Sequence, residues 1–263
     1  GGLGILVATV PAEWASQTFG WRPMFAGMAF ITLCVSALLW TAVPDRQGGA
    51  QGETLRTQLR ALGRIYQDPG FWRIAPLVSS TCGVHIGIQT LWAGPWLRDV
   101  AGLDRDGVAY YLGAAAIGFL TGTLISGAVA DWLARRGIGL LNTMLGFVLI
   151  YMTTMALITF QADLPVLPLW FIFGMFGQAG ILSYPWMATY FGTARAGRAN
   201  AAMNFMVFGI AFTAQHTIGA IIDRWPATAD GGYASEAYIT AFAVVLAIQT
   251  VALGWYLLRS RGG

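Results

Sequence analysis

Eight stretches of this chain are apolar for long enough to cross, or nearly cross, a lipid bilayer. They run over about residues 3–19, 23–43, 74–97, 107–130, 138–160, 165–191, 200–222 and 236–258. A spanning helix needs roughly 20 mainly apolar residues, and only the first block is short of that. Apolar residues follow one another nearly continuously within each block, without the alternation of a barrel wall, so the blocks read as helices. In 263 residues this leaves short connections and no room for a sizeable soluble domain. Composition agrees: a soluble domain carries about 25% charged residues, whereas this chain carries 10%, with 56% hydrophobic residues. That argues against a water-soluble globular enzyme.

All 15 basic residues are Arg, and their positions set the expected orientation. The connections after the second, fourth and sixth blocks, with the C-terminal tail, hold Arg46, Arg56, Arg60, Arg64, Arg73, Arg135, Arg136, Arg195, Arg198, Arg259 and Arg261. The opposite side holds only Arg22, Arg98, Arg105 and Arg224. Cytoplasmic loops carry the basic excess. The Arg-rich side is therefore expected in the cytoplasm of a bacterium, with the helices in its inner membrane and both chain ends inside. The net charge of +3 carries no nucleic-acid signal, because no basic run interleaves with exposed aromatics.

The inventory of reactive groups is sparse. Cys34 and Cys82 lie inside apolar blocks and read as packing, not as a disulfide or metal pair. The two histidines sit in separate blocks and nominate no metal site. No nucleophile elbow, zinc-protease motif or P-loop occurs, so no catalytic residue, cofactor or metal is expected. The chain opens on Gly1-Gly2, with no basic segment before the first apolar block, and reads as a piece of something longer.

The one extended polar stretch is 44–70. Pro44 to Gly52 has linker composition. Beyond it, Leu55, Leu59, Leu62 and Tyr66 share one helical face, while Arg56, Arg60 and Arg64 line another. An interfacial helix with Arg toward lipid headgroups and a solvated connector both fit this pattern. Either way the stretch divides the chain into 1–43, a hairpin, and 71–263, a six-helix unit. Within the latter, Gly118, Gly122 and Ser126 recur every four residues, the spacing of close helix contact. Pro185 is expected to interrupt the sixth block.

Residues 127–137 read Gly127-Ala-Val-Ala-Asp131-Trp-Leu-Ala-Arg135-Arg136-Gly137, a G-x-x-x-D-x-x-x-R-R pattern at the Arg-rich end of the fourth block. This resembles the loop signature of the major facilitator superfamily, which occurs between that family's second and third helices and, more weakly, between the eighth and ninth. Ala134 replaces the glycine usual before the basic pair, which suits the weaker copy. Gly20-Trp21-Arg22-Pro23-Met24-Phe25 is similar to the family's turn between helices five and six. The polar stretch 44–70 falls where the family joins its two six-helix halves. The resemblance implies an all-α integral membrane protein with eight transmembrane helices: residues 1–43 as helices five and six, 44–70 as the cytoplasmic linker, and 71–263 as a complete six-helix half. It also implies that helices one to four of the same transporter are the partner of this piece. In the family the motif acts as a gate latch, a role that would fall on Asp131 with Gly127, Arg135 and Arg136.

A polar group at mid-membrane depth is costly and usually faces the bundle interior. Thr81, His85 and Gln89 share a face in the third block, which the resemblance makes a cavity-lining helix. Gln178 and Tyr184 in the sixth block, and Asn204 and Gln215 in the seventh, complete the candidate substrate path. His216 reads as packing, and Trp92, Trp96 and Trp186 as interface-belt residues. Glu13 and His85 are the candidates for ion or proton coupling. No Arg lies in the middle of a block, which disfavours small inorganic anions and organophosphates as cargo. The expected function is secondary active transport of a small solute by alternating access. The alternative is a non-transporting sensor or assembly partner on the same scaffold, and substrate-driven flux separates the two.

Overall fold

The computed structural model describes residues 4, 10–42, 55–228 and 231–260. All regular structure among these residues is helical. Helices α1 (Val10–Phe19) and α2 (Trp21–Ala42) form the hairpin, with Gly20 at φ +82° in the turn between them. Helix α3 (Leu55–Tyr66) follows. The six-helix body starts with α4 (Pro69–Gly87), which continues through a π-helical turn (Ile88–Trp92) into α5 (Ala93–Asp99). Next come α6 (Arg105–Ala134) and α7 (Leu140–Thr159). Helix α8 (Val166–Phe176) is followed by a 3₁₀ turn (Ala179–Leu182) and α9 (Ser183–Phe191). Helices α10 (Thr193–Ile222) and α11 (Ser235–Ser260) complete the body.

Seven of these units are long and apolar enough to cross a membrane: α2, α4–α5, α6, α7, α8–α9, α10 and α11. They match the last seven apolar blocks. The first block lies partly outside the described residues, and its described part, α1, is ten residues long. Helices α6 and α10, at 30 residues each, are about 45 Å long at 1.5 Å per residue. That exceeds the roughly 30 Å hydrocarbon layer, so their ends stand clear of it.

Caps set the starts of the spans. Asp68 accepts hydrogen bonds from the Gly70 and Phe71 amides, at 2.8 and 3.3 Å, with Pro69 at the first helical position. This satisfies two orphan amides and leaves proline where its missing N–H costs nothing. Asp104 caps α6 through the Gly107 amide at 2.9 Å.

The body is held by close backbone contact. A Cβ on Gly118 would fall on the Phe171 carbonyl, one on Gly122 on the Met175 carbonyl, and one on Gly174 on the Ala115 carbonyl. Helices α6 and α8 therefore touch backbone to backbone, as the four-residue glycine spacing anticipates. Helix α4 is the central post: Phe71, Ile74, Ala75 and Leu77 on its length are fully buried, as is Ile88 at the start of the π turn. Trp170, Phe173, Tyr151 and Phe242 close the core around it.

Candidate functional site

Two backbone irregularities interrupt the spans of the body. In the first, the Ala93 amide donates to the Ile88 carbonyl, five residues back, which makes the π turn. A π turn holds an extra residue and rotates everything beyond it relative to the α-helical register. Gln89 and Thr90 sit on this turn, with Thr90 exposed. The second irregularity is the gap between α8 and α9 at Gly177–Leu182. Pro185 lacks an N–H and its ring crowds the carbonyl four residues back, so the helix breaks in the turn before the proline. Helix α4 seats in that break: a Cβ on Gly177 would overlap the His85 ring, and one on Gly180 would stand 2.7 Å from the Cys82 sulfur.

The candidate path residues divide into two sets. Gln215 donates from Nε2 to the Thr90 hydroxyl at 2.9 Å, and its backbone carbonyl accepts from the Trp92 indole at 3.1 Å. Tyr184 donates its hydroxyl to the Asn204 side-chain oxygen. These two pairs join α10 to the π turn and to α9, and Thr90 and Asn204 stand exposed beside Phe205, Phe208 and Phe212. Gln215 also lines a groove of about 350 Å³ with Leu91, Phe212 and His216. His216 is exposed there, so the structure does not give it the packing role read from the sequence.

The second set turns into the body. Thr81 is 1% exposed and donates to the Leu77 carbonyl on its own helix at 2.7 Å. His85 is 2% exposed and boxed by aromatic rings, with Phe173 at 4.8 Å, Tyr151 at 5.9 Å and Phe119 stacked at 6.4 Å. Among the described residues its Nδ1 has no hydrogen-bond partner, nor have Gln89 Oε1 and Gln249 Oε1. Gln249 donates from Nε2 to the Ser80 carbonyl at 3.4 Å. Gln178 lies in the gap after α8 and lines a cleft of about 180 Å³ with Gly122, Ser126 and Phe147. The three-residue face of Thr81, His85 and Gln89 thus leads inward at its first two members and reaches the π turn at its third.

The loop motif falls at the C-terminal end of α6. Gly127 and Asp131 lie on the last turns of α6, Arg135 caps its end, and Gly137 turns the chain at φ +84°. The Asp131 carboxylate is exposed and has no side-chain partner among the described residues. The Arg136 guanidinium lies 3.7 Å over the Trp132 ring instead. Glu13 falls on α1, but its side chain is outside the described residues.

Two tryptophans stand elsewhere than the sequence implies, and one structural carboxylate has no sequence motif. Trp92 and Trp96 are core residues and not belt residues: Trp92 bonds α10 and Trp96 packs on Trp170 at 5.4 Å. The carboxylate is Asp99 at the end of α5. It accepts from Arg98 Nε at 2.5 Å, the Tyr238 hydroxyl at 2.8 Å and the Tyr233 amide at 3.0 Å. No local motif announces it, because two of its three donors, Tyr233 and Tyr238, come from more than 130 positions away.

This is the architecture of a polytopic helical membrane protein, with some of its polar groups on an exposed face of the six-helix body and others buried within it. The Major Facilitator Superfamily model matches residues 1–215, and the chain belongs to that family. It is 26% identical over 115 residues to a probable transporter of Streptomyces coelicolor, covering 44% of this chain and 25% of that protein. It is also 26% identical over 146 residues to a cis,cis-muconate transport protein of Acinetobacter baylyi, covering 51% of this chain and 34% of that protein. The chain spans a quarter to a third of the curated relatives it matches.

Proposed function

We propose that the chain forms helices five to twelve of a secondary transporter that moves a small organic solute by alternating access. The solute path runs past the open face of α10, the π turn and α9. The observation that carries this reading is the pairing of Gln215 with Thr90 and of Tyr184 with Asn204 on one exposed face, at the depth where polar groups are costly. Discontinuous helices at mid-membrane are the usual site of solute and ion binding in secondary transporters. In this reading residues 1–43 belong to one half, 44–70 to the linker and 71–263 to the other half, both chain ends face the cytoplasm of a bacterial inner membrane, and four preceding helices cover the open face. Asp131 serves as the gate latch in another conformation of the cycle, and Glu13 or His85 as the coupling group.

The relative's cargo, muconate, is a dicarboxylate. No Arg stands at mid-span among the described residues to receive such a charge. Amide, phenol and hydroxyl groups beside phenylalanines suit an uncharged, hydrogen-bonding organic solute better. The test is a ligand screen by thermal shift on the whole transporter, with cis,cis-muconate and a panel of uncharged phenols and amides, followed by flux of the best binder into proteoliposomes. Gln215→Ala and Asn204→Ala are expected to abolish flux and leave insertion intact. Binding without flux would favour the sensor alternative. Wild-type flux in both variants would remove this face from the path.

A further inference from the structure

We infer that α3 is a binding site for anionic phospholipid headgroups, with Arg56, Arg60 and Arg64 as its ligands. The helix is seated on the body by one side only. Ile65 is 2% exposed, Leu62 is packed against the core, and the Tyr66 hydroxyl donates to the Ala202 carbonyl of α10 at 3.1 Å. At 100° per residue, Arg56, Arg60 and Arg64 stand on the side opposite that seat. All three are exposed, and none has a side-chain partner among the described residues. A row of uncompensated guanidiniums is a ready receptor for phosphate oxygens, which guanidinium binds in bidentate fashion.

The depth of the helix selects the source of that phosphate. The Trp72 indole donates to the Tyr66 carbonyl at 2.6 Å, and the Trp255 indole donates to the Trp72 carbonyl at 2.7 Å. Both rings are partly exposed, at 40% and 38%, and Arg259 lies 4.6 Å over Trp255. Exposed Trp beside Arg at the ends of spanning helices is the pattern of the headgroup layer. The C-terminal end of α3 is bonded into that layer and does not hang beyond it. Leu59, 59% exposed on the flank of the Arg row, then meets the upper acyl region and not water. The arrangement is that of an amphipathic helix lying in the interface. It requires only that the chain is membrane-embedded, and it does not depend on the transport reading.

The test places a photo-crosslinking p-benzoylphenylalanine at position 59 of the whole transporter, in vesicles of equal parts phosphatidylglycerol and phosphatidylcholine. Lipid adducts are counted by mass spectrometry. Phosphatidylglycerol adducts are expected to exceed phosphatidylcholine adducts. Each Arg near a charged surface strengthens attraction about fivefold, so R56Q/R60Q/R64Q should lower the ratio by more than about tenfold. The corresponding triple Lys variant should retain most of the preference, which shows that charge, and not helix loss, is measured. An excess of inorganic phosphate at constant ionic strength should leave the ratio unchanged. Equal adducts of the two lipids in the wild type, adducts to protein alone, or a preference abolished by free phosphate would each overturn the assignment.

Discussion

The hairpin and the six-helix body are both built from spans apolar enough to cross a membrane and end in opposite situations. Helix α2 is 22 residues long and buries none of them, and Trp40, Leu33 and Phe30 are 89%, 69% and 68% exposed. Helix α4 has a less hydropathic window and buries most of its length, including Ser79, Ser80 and Thr81. Hydropathy therefore tells which segments enter a bilayer and not which segments enter a core. In lipid, an apolar side chain gains little by leaving the tails, so packing follows small residues and hydrogen bonds. The body has Gly83, Gly118, Gly122, Gly174 and Gly177 at its contacts, whereas a Cβ on Gly27, in α2, would meet nothing within 4 Å.

The largest expected effect breaks the body at its closest contact. Gly122→Leu or Gly174→Leu drives a side chain into the facing backbone, where no rotamer gives relief. Overpacking costs 1–3 kcal/mol even where side chains can move. Here the loss should reach about 3 kcal/mol or more, read as a collapse of the monodisperse peak in detergent. Gly27→Leu in the hairpin is the control: a Cβ there meets nothing within 4 Å among the described residues, so it should do less damage than either body variant. Equal damage from both would mean that the hairpin is packed as tightly as the body.

Next comes Asp99. Replacing it with Ala leaves the Tyr238 hydroxyl and the Tyr233 amide without their acceptor. Hydrogen bonds to a charged group are worth about 1.5–3 kcal/mol, so melting should fall by that order. Tyr238→Phe, which removes one donor, should cost about 1 kcal/mol. The expected rank is Asp99→Ala below Tyr238→Phe below wild type in thermal unfolding. A neutral Asp99→Ala would show that the end of α5 is not held by this carboxylate.

The same contrast explains what was legible in the sequence. Block lengths gave the seven spanning units, because a span must supply its own backbone hydrogen bonds along one uninterrupted segment. The glycine row of α6 and the effect of Pro185 were also local properties. The faces were not. A period of 3.6 placed Thr81, His85 and Gln89 on one stripe, but the π turn at Ile88–Trp92 adds a residue that no single motif declares. Thr90, absent from the candidate set, became the partner of Gln215 for that reason. Trp92 and Trp96 looked like belt residues because they lie near a span's end, yet the outer part of α4–α5 is wrapped by α10 and packed on Trp170. Asp68 before Pro69 is a readable cap, whereas the cluster at Asp99 draws two of its three donors from more than 130 positions away.

The smallest stability effect falls on the open face, and it is the most informative about function. Tyr184→Phe removes the hydroxyl that donates to Asn204, and Gln215→Ala removes the amide that meets Thr90. Hydrogen bonds between membrane helices contribute about 0.6 kcal/mol on average, so each variant should melt within about 1 kcal/mol of wild type. His85→Ala differs in kind. It empties a box of three rings in the core, and the cavity should cost about 2 kcal/mol or more. If the open face carries the solute, Tyr184→Phe and Gln215→Ala lose flux at nearly wild-type melting, while His85→Ala loses melting first. The opposite pattern, with a stable His85→Ala that cannot transport and an active Gln215→Ala, would move the path from the face of α10 into the interior of the body.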